Sequence, residues 1–189
     1  MKTYDFVHLS LYALGGNIKG KTKLQKTIYF LGILTNHLDE LGYCAHYYGP
    51  YSSDVAEAAN RLRSLDFLEQ TVMSGGAIDS RGFEVARYDF SLNNEGKDVA
   101  ELKKKRYSTL SEDLDTAVRK FRTGEDIDYQ ALSIAAKTHF LLEKKGGKAT
   151  VTEIEKIARK FGWSVDKTEI EKATCFLEEI GLVETAQTQ

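Results

Sequence analysis

Apolar side chains recur at steps of three and four residues in the first part of the chain, the spacing that places them on one face of an α-helix. Three stretches follow this pattern, over residues 3–14, 22–41 and 54–65. Gly15-Gly16 is a stop signal for the first stretch, Thr22 is a candidate cap for the second, and Asp54 with Glu57 resembles a capping box for the third. The pattern predicts three helices.

The pattern changes to alternation after the third predicted helix. Residues 67–73 and 83–92 alternate as strands do, with a glycine-containing loop between them. Together they predict a β-hairpin. Three helices followed by a hairpin is the element order of a winged helix-turn-helix unit, in which the hairpin is the wing.

Helical spacing returns after Asn93, a candidate cap. Over residues 97–121 the apolar positions fall on one stripe, formed by Val99, Leu102, Leu110, Leu114, Ala117 and Phe121. The length of this stretch predicts one long helix that serves as a connector. Its stripe also predicts a homodimer formed through this helix.

A smaller helical unit is predicted beyond a polar break at residues 123–126. Its three helices cover residues 129–143 and 152–161 and a last stretch capped by Asp166 with Glu169. The end of the last helix resembles the end of the third, which suggests a reduced winged helix with a short strand after each. We therefore predict a mainly α protein with a small β-hairpin, organised as domains 1–122 and 123–189.

Composition narrows the class of protein. Apolar residues make up 42% of the 189 positions and charged residues 29%, which is enough for a packed core and excludes overall disorder. The 26 basic and 28 acidic residues nearly cancel, so a protein that coats nucleic acid or a membrane through bulk charge is not expected. The first 66 residues are formally +1 and residues 123–189 are −3. Any contact with nucleic acid is therefore expected in the first unit.

The cysteines, the apolar runs and the motifs of the sequence bear on the compartment of the protein and on its cofactors. The two cysteines, Cys44 and Cys175, are far apart and have no metal-binding spacing, which favours a reducing, cytoplasmic location. The longest apolar run is far too short for a membrane span, so no membrane association is expected. No phosphate-binding loop, nucleophile elbow or metal motif occurs, so we predict no catalytic residues, no metal and no cofactor. An enzyme of unknown reaction stays the less favoured alternative, with His46 as the histidine to test.

Basic residues concentrate near the start of the second predicted helix. Lys19, Lys21, Lys23 and Lys26 lie within eight residues there, an arrangement that suits a polyanion or, equally, a solvated lysine-rich surface. On the third helix, Arg61 and Arg63 are candidates for contact with DNA bases. Acidic residues on the same helix weaken that interpretation.

A tyrosine-rich segment, residues 43–51, separates the second and third predicted helices. It is non-helical because Gly49-Pro50 interrupts regular structure. Tyrosine has a large apolar body and a polar tip, which suits protein interfaces as well as core positions. The candidate partner-binding residues are His46, Tyr47, Tyr48 and Tyr51. Such an insertion changes how the third helix would approach DNA and favours a protein partner.

Two motifs in this region resemble a known family. The sequence Lys-Leu-Gln-Lys-Thr-Ile-Tyr-Phe-Leu at residues 23–31, followed by Tyr-Tyr-Gly-Pro-Tyr-Ser at residues 47–52, resembles YwgA-type proteins and the related Panacea antitoxin-like domain. The resemblance covers roughly residues 3–100, and the second unit resembles the tail of the YwgA-type proteins only. It implies a winged-helix-like core and a regulatory role, and Panacea-type members neutralise toxins by binding them.

The sequence therefore predicts a non-enzymatic, antitoxin-like regulator that acts through a protein partner. A DNA-binding transcriptional regulator is the alternative.

Overall fold

The computed structural model describes residues 1–78, 84–123 and 129–184. In this part of the chain the fold is mainly helical with small antiparallel sheets, as predicted. The helices are α1 (Thr3–Ala13), α2 (Lys21–Leu34), α3 (Ser53–Ser64), α4 (Asn94–Arg106), α5 (Ser108–Thr123), α6 (Tyr129–Lys144), α7 (Val151–Lys160) and α8 (Lys167–Glu179). The strands are β1 (Asn17–Lys19), β2 (Cys44–His46), β3 (Gly49–Tyr51), β4 (Leu68–Ile78) and β5 (Glu84–Leu92). None of the helices in the described ranges combines the length and apolarity needed to cross a bilayer.

The predicted hairpin is confirmed as β4 and β5, and its loop at 79–83 lies outside the described residues. A third strand, β1, joins it, so that the sheet has the antiparallel order β1-β5-β4. Ile18 of β1 pairs with Phe90 of β5, and both side chains are buried. The sequence pattern predicts a basic connector at this position instead of a strand. A three-residue strand with one buried side chain is too short to show a detectable alternation of apolar and polar residues.

The boundaries of α2 and α3 differ from the prediction. The second helix starts at Lys21, and its N-cap is Gly20, whose φ of 91° suits glycine and would strain a threonine. Thr22 is therefore inside the first turn of the helix and is not the cap. It ends at Leu34 rather than at residue 41. The chain turns at Asn36, which has a positive φ of 58°, and then forms one turn of 3-10 helix at Leu38–Leu41. The cap of α3 is Ser52, whose hydroxyl accepts a hydrogen bond from the Val55 N–H at 3.0 Å.

The long helix predicted at residues 97–121 is two helices, α4 and α5, broken at Tyr107. The Lys104 ammonium lies 3.0 Å from an Asp115 carboxylate oxygen, although 11 residues of straight helix would separate the two by about 16 Å. The chain therefore doubles back. Four of the six stripe residues are used within the chain: Leu110, Leu114 and Ala117 pack in the core with α1, and Phe121 packs against α2 and α8. Leu102, by contrast, is 65% exposed. A homodimer through residues 97–121 loses this stripe as its basis.

The three helices of the C-terminal part are confirmed, and the cap of the last one follows the predicted pattern. Asp166 and Glu169 form a reciprocal capping box at the start of α8. The ends of α3 and α8 also match, because Phe67 N–H donates to the Leu62 carbonyl at 2.9 Å and Leu182 N–H donates to the Leu177 carbonyl at 2.8 Å. The predicted strand after the last helix is wrong for the described residues, since no strand occurs at 181–184.

Helix α2 packs in two cores at once. Its Leu24, Ile28 and Leu31 belong to the core formed with α1, α3 and the sheet. Its Tyr29 and Phe30 are fully buried in a second cluster with α6 and α8. A third cluster, centred on Trp163, joins α6, α7 and α8. The predicted division into domains 1–122 and 123–189 stays a prediction, and the two parts share the second cluster.

Candidate partner-binding surface

The tyrosine-rich segment forms a small hairpin of its own. Strands β2 and β3 pair antiparallel, with His46 opposite Gly49, and Tyr47 and Tyr48 form the turn. Gly49 has a φ of 98°, a conformation that side-chain-bearing residues rarely adopt, which explains a glycine immediately after the turn. The sequence predicts a non-helical segment here, and the pairing of its two three-residue strands is a finding of the structure.

The candidate partner-binding residues divide into two groups. Tyr47 is 72% exposed and Tyr48 is 61% exposed, and their rings meet edge to face with centroids 4.9 Å apart. We call these two residues the tyrosine pair. Tyr51 is half-buried, and its ring lies 5.0 Å from the ring of the exposed His46. The tyrosine pair is therefore the part of the hairpin with the most apolar surface open to a partner.

Tyr43, the other tyrosine of this segment, serves the core. Its hydroxyl donates a hydrogen bond of 2.6 Å to the Gln25 carbonyl, and its ring packs edge to face on Tyr29. Burial raises the pKa of Tyr43, so its hydroxyl stays protonated as a donor.

The backbone of the hairpin is held from three directions. The Lys26 ammonium of α2 donates to the Pro50 carbonyl at 2.5 Å. The Ser133 hydroxyl of α6 donates to the Tyr48 carbonyl at 3.0 Å, and the indole N–H of Trp163 donates to the His46 carbonyl at 2.7 Å. These bonds, from α2, α6 and the loop between α7 and α8, fix a turn that would otherwise be a marginal two-stranded ribbon.

Lys26 is therefore not part of a surface lysine cluster, which corrects the prediction. Its side chain is only 2% exposed, and its only hydrogen bond among the described residues is the one to Pro50. Burial, reinforced by the neighbouring Lys137 ammonium, lowers the pKa of Lys26 to about 8. This lysine supports the hairpin from below rather than contacting a polyanion.

A groove of about 750 Å³ adjoins the tyrosine pair, between the start of α2, the turn of the hairpin, α6 and α8. Its polar and charged lining includes Lys137, Glu169 and Lys172. Its aromatic and apolar lining includes Tyr48, Tyr129, Ile134, Ala173 and Phe176. The volume is within the usual range for ligand sites, roughly 300–1,000 Å³. Because Tyr48 belongs to both, the tyrosine pair and the groove form one continuous surface.

The remaining lysines of the predicted cluster lie on a different surface. Lys19 is in β1 opposite Asp89 of β5, and the Lys21 ammonium is 3.9 Å from the centroid of the Tyr88 ring. Lys23 follows in the first turn of α2 and is partly exposed. The structure therefore places Lys19 and Lys21 beside strand β5, whereas Lys23, two residues further along α2, lies on a different face of that helix.

The two arginines of α3 make contacts elsewhere. The Arg61 guanidinium lies 5.2 Å from the centroid of the Tyr4 ring of α1. Arg63 donates a long hydrogen bond of 3.5 Å to Asn60 of its own helix. Both side chains are exposed, and the elements they contact are different from those that the lysines contact.

Two buried histidines have structural roles. His139 of α6 shares a hydrogen bond of 3.1 Å with the hydroxyl of Tyr29 of α2, and burial lowers its pKa to about 4. His8 bonds the Gly96 carbonyl at 2.8 Å, and burial, together with the nearby Lys103 ammonium, lowers its pKa to about 4 as well. Neither of them lines the groove.

Sequence reasoning missed the groove because its walls come from residues more than 80 positions apart. The only local signal was Gly49, which leaves room for the Lys137 side chain. In comparisons with known proteins, no family model and no curated protein matches this chain.

Proposed function

We propose that this protein is a non-enzymatic regulatory protein that binds a protein partner through the tyrosine pair and the adjoining groove. The observation that carries the proposal is the exposure of two adjacent tyrosines, 72% and 61%, on a hairpin whose backbone is anchored by three other elements. Large aromatic side chains on a fixed backbone lose little entropy on binding and dominate protein interfaces. A monomer with no partner gains nothing from leaving both in water.

The family resemblance supports the regulatory part of the proposal. The segments that carry it, residues 23–31 and 47–52, are the ones that build and anchor the hairpin. The order α1-β1-α2-α3-β4-β5 is also the order of a winged helix, with the small hairpin inserted before α3. An antitoxin-like role in the cytoplasm fits these features and the two cysteines, which are both free and exposed.

The experiment is capture of a partner by the purified, tagged chain from a cytoplasmic extract of its own source. Tyr47→Ala combined with Tyr48→Ala is expected to abolish recovery of a stoichiometric partner and to leave the unfolding midpoint unchanged, because both rings are in water. Leu102→Ala is the matched control, since Leu102 is 65% exposed on α4, away from the hairpin. Undiminished capture by the double variant would remove this surface as the interface.

DNA binding is the second candidate, favoured by Lys19 and Lys21 beside the β4–β5 hairpin, with Lys23 in the first turn of α2. Each lysine that neutralises a phosphate contributes about 0.9 to the slope of log affinity against log salt concentration. Replacing all three by Ala is expected to lower that slope by about 3 on mixed-sequence duplex DNA. Lys148, Lys156 and Lys160, also exposed, provide the control triple variant. Binding that is undetectable or independent of salt would exclude this candidate.

A further inference from the structure

The groove beside the tyrosine pair contains more positive than negative charge. Lys137 and Lys172 line it from α6 and α8, and Glu169 is the one acidic residue in its described lining. The Glu169 carboxylate is already engaged, because it accepts a hydrogen bond of 2.9 Å from the Asp166 backbone N–H in the capping box of α8. Neither lysine forms an ion pair with a described residue, so the two ammonium groups share one neighbouring carboxylate and the described lining keeps a net positive charge.

Lys137 is held in a defined position. Its alkyl chain packs against the backbone of Gly49, so closely that a Cβ at that position would lie 2.9 Å from its Cγ. Its ammonium lies 5.9 Å from the centroid of the Trp163 ring. Burial lowers the pKa of Lys137, and the Glu169 carboxylate opposes part of that change. Its partial burial and packed stem distinguish it from an ordinary solvated surface lysine.

Lys26 lies behind this position and adds to the positive potential. The methylene next to its ammonium is on the same side of Gly49 as Lys137, 3.6 Å from where a Cβ would be. One backbone carbonyl is the only acceptor that its three N–H groups have among the described residues. A buried ammonium needs compensation from nearby negative charge, and a carboxylate in the groove would supply it to both lysines.

The rest of the lining is apolar. Ile134, Ala173 and Phe176 form one part of it, and the exposed Tyr48 and Tyr129 border it. An occupant that matches this surface has a carboxylate for the lysines and an apolar side chain for the floor. A row of phosphates matches it less well, because a polyanion would meet the apolar floor and the Glu169 carboxylate.

We infer that the groove binds an acidic segment of the protein partner, with carboxylates against Lys137 and Lys172 and an apolar or aromatic side chain against Ile134 and Phe176. This inference rests on the proposed function, since the tyrosine pair and the groove share Tyr48. The partner's other contacts then fall on the tyrosine pair. Carboxylate–lysine pairs in a partly desolvated groove supply specificity as well as affinity.

The test uses random linear peptides displayed on phage and selected on the immobilised full chain. Enriched sequences are expected to combine Asp or Glu with Leu, Phe or Trp. A fluorescein-labelled copy of the leading peptide is then titrated with the chain, and affinity is read from anisotropy. Lys137→Gln and Lys172→Gln are each expected to weaken binding about tenfold or more. Lys156→Gln, an exposed helical lysine away from the groove, is expected to leave it unchanged.

Several results would overturn the inference. No enriched peptide, an enriched basic or uncharged motif, or equal binding by the two groove variants would each do so. Duplex DNA binding that disappears in Lys137→Gln would also overturn it, by assigning the groove to nucleic acid. Capture of the natural partner that depends on the tyrosine pair but not on the two lysines would overturn the inference and leave the proposed function intact. Circular dichroism confirms that each variant is folded.

Discussion

The indole N–H of Trp163 donates a hydrogen bond to the carbonyl of His46 at 2.7 Å, joining positions 117 residues apart. Trp163 itself is 2% exposed and lies at the centre of the third apolar cluster. The bond therefore ties the hairpin that carries the tyrosine pair to the segment between α7 and α8. Its consequence is that the proposed binding surface depends on residues from both predicted domains.

Trp163→Phe is expected to test this link, because phenylalanine keeps most of the apolar contact and removes the donor. The His46 carbonyl lies on an exposed strand and regains water, so the loss in free energy of unfolding should be moderate, about 1–3 kcal/mol including the smaller ring. The amount of partner recovered through the tyrosine pair should fall by a larger fraction than the free energy of unfolding does. Urea unfolding and the capture assay measure the two quantities, and unchanged capture would show that the hairpin does not need this anchor.

The buried His139 predicts a loss of stability in acid. Its pKa is lowered from 6.5 to about 4 in the fold, so between these values the unfolded chain binds more protons and the free energy of unfolding falls as pH decreases. The stabilisation is fully present above about pH 6.5 and is lost toward pH 4, with an order of magnitude of about 3 kcal/mol. Urea midpoints measured across this range follow the change.

His139→Gln is the variant that isolates this effect, since it keeps a polar group near the Tyr29 hydroxyl and removes the titration. It should reduce the slope of stability against pH between pH 4 and 6.5 by about one proton. His8 has a pKa lowered in the same direction, so some acid sensitivity is expected to remain in the variant. A slope equal to that of the unchanged protein would contradict the assignment.

The buried Lys26 predicts a change in the free energy of unfolding at alkaline pH. Its pKa is about 8 in the fold against 10.5 in the unfolded chain, so the unfolded chain binds more protons between these values and stability rises with pH across that window. Lys26→Met keeps the length of the side chain and should flatten this rise by about one proton. At pH 7 the variant gains stability from removal of the buried charge and loses the bond to the Pro50 carbonyl, so its free energy of unfolding should stay within about 2 kcal/mol of that of the unchanged protein. Lys156→Met, at an exposed position, should change neither quantity.

Gly49→Ala combines two penalties at the hairpin. The residue has a φ of 98°, and a Cβ would lie 2.9 Å from Cγ of Lys137. Gly162→Ala is the matched control, because Gly162 has a φ of 70° and no atom within 4 Å of the added Cβ. Both variants should lose about 1–2 kcal/mol to backbone strain, and only Gly49→Ala should also weaken binding of the acidic peptide, by displacing Lys137. Equal peptide binding by the two variants would argue against that positioning.

Much of the fold was predictable from local pattern. The hairpin at β4–β5, the three C-terminal helices and the Asp166 capping box follow from spacing and from cap residues. The break between α4 and α5 at Tyr107 was not predictable, because the apolar stripe continues across it while the chain reverses direction. A stripe identifies positions that favour burial, although Leu102 of this one is 65% exposed. It leaves open whether one straight face or two faces of a bent segment bury the other side chains.

The site was predictable only in part. Tyr47 and Tyr48 stand out in the sequence and are exposed in the structure. Lys26 shares its local pattern with Lys21 and Lys23, and only the packing of the hairpin over α2 removes it from water. The groove could not be predicted, since α6 and α8 contribute its charge and apolar floor through contacts that no local spacing encodes.

The membership of α2 in two apolar clusters has a consequence for synthesis of the chain. Residues 21–34 are synthesised about 110 residues before α6 and about 145 residues before α8, at roughly 5–20 residues per second. During that interval of about 5–30 seconds the rings of Tyr29 and Phe30 lack the helices that cover them in the fold. The nascent chain therefore passes through a partly folded, aggregation-prone intermediate that exposes two aromatic rings. A chaperone that binds such rings would raise the yield of folded protein.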